Sequence, residues 1–114
     1  MALKSEVIEE YVDYCCRILR DYFGAVRKNF IDQWDDPSSM LLSVISINGF
    51  IMALNRQLKI NGVKDFDFYD RIFQNWEFSF SKAGFPYTSS QYRKFSTQIL
   101  ESAFGIAPED LLHI

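Results

Sequence analysis

Few residues of this chain have the types and spacing for chemistry. The only histidine, His113, stands second from the end, and chain ends seldom hold a general base or a metal ligand in place. Cys15 and Cys16 are adjacent. On a helix they point about 100° apart and cannot pair with each other, so no disulfide framework is expected. Cys15 reads as a small core residue, and Cys16, at the edge of the apolar arc near Glu9 and Arg27, as the one candidate thiol nucleophile. Asp32, Asp35 and Asp36 offer oxygen ligands for a hard cation, yet the glycine and trailing acid of a calcium loop are missing. No phosphate loop, dinucleotide fingerprint or nucleophile elbow is present. The expectation is a non-enzymatic chain with no catalytic, cofactor-binding or metal-ligating residues.

One segment could hold an anion. Lys82, Tyr87, Thr88, Ser89, Ser90, Tyr92, Arg93 and Lys94 bring bases, hydroxyls and aromatic rings to the expected start of a helix, where backbone amides can meet phosphates. The plainer reading is a solvated loop and cap, because three bases fall short of the six or more phosphate contacts of a typical nucleic-acid binder. The candidate nucleic-acid or anion site is therefore Lys82, Thr88, Ser89, Ser90, Arg93 and Lys94. Trp34, beside a turn, is a candidate interaction anchor.

The elements that must position these residues are helices. From Ser5, read as an N-cap, to Phe30, apolar residues from Val7 and Ile8 through Ile18 and Tyr22 to Val26 fill an arc of roughly 200°. Acids lead and bases trail along that helix, as its dipole favours. So wide an arc predicts contact with at least two other helices. Asp36 then caps a second helix that opens at Pro37 and stops at Asn61-Gly62. Asp65 caps a third, with Phe68, Tyr69, Ile72, Phe73 and Trp76 on one face. Residues 78–81 alternate Phe and Ser and could be a short extended piece. Thr88 to Gln91 has capping-box spacing, and the helix it opens is expected to bury Tyr92, Phe95, Ile99, Leu100 and Ala103 before Gly105 ends it.

From Pro37 to Asn55 no charge occurs, although charged residues make up 24% of the chain. Serines, asparagines and a glycine interrupt this run, and Met40 to Leu54 is short for a bilayer. It is expected to be the central core helix, with Ser46, Gly49 and Ala53 on one side admitting a close neighbour. A chain of 114 residues makes one domain, 1–114, able to bury roughly two thirds of its unfolded surface. The expected architecture is all-α, a compact bundle of four main helices at about 5–30, 37–60, 66–77 and 89–104. The net charge of −3 comes from the first 36 residues, which leaves no general attraction for polyanions. The absence of a disulfide framework and of a signal-like N-terminus points to the cytoplasm.

The stretch LRDYFGAVRKNFIDQWDDPSSMLLSVISINGFIMAL, Leu19 to Leu54, resembles the C-terminal helical part of DGQHR-domain proteins. There an aromatic-rich helix leads through a W-x-D-P-like junction into an apolar helix containing glycine. The resemblance covers about a third of the chain and implies a role linked to DNA phosphorothioation or phage-defence regulators. The D-G-Q-H-R motif itself is absent, so no functional residue carries over. The expected function is a non-catalytic helical interaction or accessory module, with a protein partner or adjoining domain and no membrane. The alternative is nucleic-acid binding through Lys82 to Lys94.

Overall fold

The computed structural model describes residues 2–88 and 90–109. Among these the elements are α1 (Ala2–Asn29), α2 (Ile31–Asp35), α3 (Val44–Asn61), α4 (Phe66–Gln74) and α5 (Tyr92–Gln98), the last continuing as a π-helical turn, Ile99–Ala103. The described residues include no strand, and the chain is a helical bundle. Residues 78–81, expected to be extended, are irregular coil.

Helix α1 packs against α4, and α3 against α5. Phe50 of α3 joins the two pairs. Its ring meets Tyr22 and Phe23 of α1, Phe73 of α4, Trp76 and Phe80 of the following loop, and Phe95 of α5, with centroids 5.4 to 6.3 Å apart. Most of these contacts are edge-to-face, the geometry aromatic quadrupoles favour. The close approach expected along Ser46, Gly49 and Ala53 is present: all three are buried, and the ring of Phe95 lies on Gly49.

Polar bonds fix the register. The Tyr22 hydroxyl donates to the Phe50 carbonyl at 2.8 Å, and the Tyr69 hydroxyl to Gln57 Oε1 at 2.5 Å. Lys28 Nζ and Asn29 Nδ2 donate to the Asp70 carboxylate at 2.8 and 2.9 Å, tying the end of α1 to α4.

Several element boundaries differ from expectation. Ser5 lies inside α1, because Ala2, Leu3 and Lys4 are all strong helix formers and carry the helix back beyond it. The second helix begins at Val44 instead of Pro37. Asp36 Oδ1 accepts from the Ser38 amide and hydroxyl, forming a local turn, and the Met40 amide donates to the Phe80 carbonyl at 2.6 Å. Such side-chain bonds compete with a helix start, and Ser43 becomes the cap, accepting from the Ser46 amide. Asp65 caps α4 as expected, accepting from the Phe68 amide at 3.0 Å. That helix ends at Gln74, where the Asn75 side chain bonds back to the Arg71 carbonyl.

Only half of the capping box at Thr88 forms. The Thr88 amide donates to Gln91 Oε1 at 2.9 Å, but the Gln91 amide donates back to the Thr88 carbonyl and α5 starts only at Tyr92. Near its end the Ser102 hydroxyl bonds to the Gln98 carbonyl while accepting from Trp76 Nε1, and the backbone widens to the π pattern. Gly62 and Gly105 have positive φ and close α3 and the π turn, as expected.

Candidate interaction surface

The apolar arc of α1 is covered over only half its length. A helix of 28 residues is about 42 Å long, whereas the nine residues of α4 span about 14 Å. Near the C-terminal end Ile18 is 9% exposed, Tyr22 is fully buried, and Ala25 and Val26 are closed off. Toward the other end the same face emerges into solvent: Val7 is 60% and Tyr11 68% exposed, Ile8, Val12 and Tyr14 are exposed as well, and Leu19 is exposed at the edge of the stripe beside Ile18. The arc meets two other helices, α4 and α3, as its width implies, but it does so through its C-terminal half. The expected second helix, about 37–60, was nearly as long as the first, but α3 starts only at Val44 and the main neighbour of α1 is the nine-residue α4.

Where cover gives way, a cleft of about 590 Å³ lies between α1 and the start of α4, lined by Tyr14, Arg17, Ile18, Asp21, Lys64 and Phe68 among others. Its charges are mixed, with Asp21 and Asp65 beside Arg17, Lys64 and Arg71. A second apolar groove, about 560 Å³, runs between α3 and α5, where Asn48, Ile51, Met52, Leu58 and Tyr92 line it. Two expectations fail here. Tyr92 is 37% exposed instead of buried, because α5 begins at this residue and its ring lies at the rim. Helix α3 is not enclosed on every side, since Val44 and Ile51 face solvent.

The anion-site residues do not form one built site. Lys82 is exposed and shares a cleft with Asp32 and Asp36. Thr88, Ser90, Arg93 and Lys94 are exposed, and Ser89 and His113 lie outside the described residues. Helix α5 has seven residues before its π turn, and the Thr88 amide at its approach is already engaged by Gln91. Among the described residues the buried cation is Arg56, which sequence reasoning missed. Its guanidinium donates to Ser96 Oγ and Thr97 Oγ1 at 2.9 and 3.1 Å, its Nε has no partner, and burial with Arg93 nearby holds its pKa below the usual arginine range.

Trp34 is half-buried and leans on the core cluster. Asp32, Asp35 and Asp36 are exposed, and no group of metal-ligating side chains is assembled among the described residues. Cys16 is exposed and Cys15 partly buried. No described helix is long and apolar enough to cross a membrane.

No family model, curated protein or solved structure matches the chain. The surface that stands out on physical grounds is the uncovered half of α1: it continues, without a break in the apolar stripe, the face that builds the core.

Proposed function

We propose that this chain is a non-catalytic helical interaction module, acting in the cytoplasm, whose docking element is the first half of α1. The observation that carries the reading is the change along one helix face, from the buried Tyr22 to the exposed Tyr11 and Val7. Apolar side chains on a single continuous stripe gain by being covered, at roughly 25 cal/mol for each Å² removed from water. Soluble chains rarely leave such a patch open without a partner. The resemblance of Leu19 to Leu54 to the helical part of DGQHR-domain proteins supports placing the module beside a DNA-modification or defence-associated regulator.

A photo-crosslinking amino acid at position 11 tests this in cells. The reading predicts an adduct of one discrete mass from that position and none from Arg27, which is exposed on the polar side. No adduct from position 11, with the protein folded, overturns it.

A further inference from the structure

We infer that the occupant of the α1 stripe is a second copy of this chain, its α1 crossing the first in antiparallel sense about a two-fold axis near Asp13. The inference rests on reading the stripe as a docking face and goes further by naming what covers it.

Area is the first argument. The exposed parts of Val7, Ile8, Tyr11, Val12, Tyr14 and Leu19 amount to roughly 600 Å², the top of the range for the largest patch of a soluble monomer. Covering that area on two copies removes about 1,200 Å², the lower bound of a specific interface.

The order of residues is the second. A two-fold contact sets residue i against j and j against i. About Asp13, Val7 mirrors Leu19, Ile8 mirrors Ile18, Tyr11 mirrors Cys15, and Val12 mirrors Tyr14. Apolar levels along the helix thus fall opposite apolar levels in the antiparallel arrangement. Ile18 is already covered, so the helices cannot run flush. A crossing at about −50°, the commonest helix-packing class, centres the contact on Tyr11 to Cys15 and carries each N-terminal end clear of its neighbour's α4.

Charge is the third. Glu6, Glu9, Glu10 and Asp13 precede Arg17 and Arg20, so a parallel pair would set acids beside acids. An antiparallel pair sets the acidic half of one copy beside the bases of the other. Glu10 and Arg17 flank the stripe on its Tyr14 edge, and the antiparallel crossing brings Glu10 of each copy level with the neighbourhood of Arg17 in the other.

Sedimentation velocity over a concentration series tests the inference. Wild type is expected to move from monomer to dimer mass. Tyr11→Glu should remain monomeric while keeping the wild-type urea midpoint in dilute solution, because its side chain takes no part in the folded core. Glu10→Lys and Arg17→Glu should each weaken self-association about tenfold, as loss and reversal of two surface pairs would. An equimolar mixture of those two variants should recover it, since every cross-copy pair in the mixed dimer is again of opposite sign. A wild type that stays monomeric overturns the inference, and an adduct from position 11 of some other mass would then leave the interaction reading intact. A dimer unaffected by Tyr11→Glu, or a mixture that fails to recover, also overturns it.

Discussion

Gly49 of α3 lies directly against the ring of Phe95 in α5, so closely that a Cβ built at Gly49 would stand 3.1 Å from Cγ and 3.2 Å from Cε2 of that ring, with Cδ2 nearer still. Phe95 cannot retreat, because it is fully buried among Phe50, Phe80 and Phe85. Gly49→Leu should destabilise the fold by about 1–3 kcal/mol through overpacking, and Gly49→Ala should act in the same direction. A urea midpoint equal to wild type would contradict the contact.

Asp70 gives the bundle an acid-sensitive tie. Its hydrogen bonds from Lys28 and Asn29, with the Lys28 charge adding to them, hold its carboxyl below the usual range. A lowered folded-state pKa contributes stability above the unfolded value, and that contribution is lost as pH falls through the folded one. Asp70→Asn should therefore be less stable than wild type at neutral pH, and its stability should fall less steeply below about pH 4. Asp70→Ala should cost about 1–3 kcal/mol, the range for hydrogen bonds to a charged group. Urea titrations at several pH values measure both effects.

Tyr69 should mark the alkaline limit. Burial, with a smaller contribution from Asp21, pushes its hydroxyl up to about 12, so the folded state holds the proton over a range where the unfolded chain releases it. Stability should fall as pH rises from about 10, the ordinary tyrosine value, toward that folded value. Tyr69→Phe should flatten this alkaline loss while lowering stability at neutral pH by about 1–3 kcal/mol, because Gln57 Oε1 loses its donor. Thermal unfolding monitored across that pH range decides it.

Nucleic acid should not be held tightly. Lys82 shares its cleft with Asp32 and Asp36, and the first 36 residues carry the chain's net negative charge. Affinity for duplex DNA at about 150 mM salt should fall no tighter than the usual non-specific range, and Arg93→Ala with Lys94→Ala should change it little. Tight retention at that salt, lost in the double variant, would favour a phosphate-binding role for the α5 region.

Much of the bundle was legible where a local cause acts alone. Asp65 caps α4, Gly62 and Gly105 end helices, and the small residues Ser46, Gly49 and Ala53 admit α5, each as the sequence implies. Boundaries were less legible where a distant group intervenes. The start of α3 depends on the Phe80 carbonyl taking the Met40 amide, and the π turn forms where Trp76 meets Ser102, contacts between residues far apart in the chain. The candidate surface was half legible. Periodicity gives the apolar stripe of α1, but which part of it is covered depends on where the short α4 docks.

Amide hydrogen exchange along α1 tests the central claim most directly, because it reads the covered and uncovered halves of one helix side by side. In dilute solution the amides of Val7 to Tyr14 should exchange much faster than those of Ile18 to Val26, and they should slow when the stripe is covered at high protein concentration. Equal protection of both halves in dilute solution would mean that the fold itself covers the stripe, and would contradict its role as a docking surface.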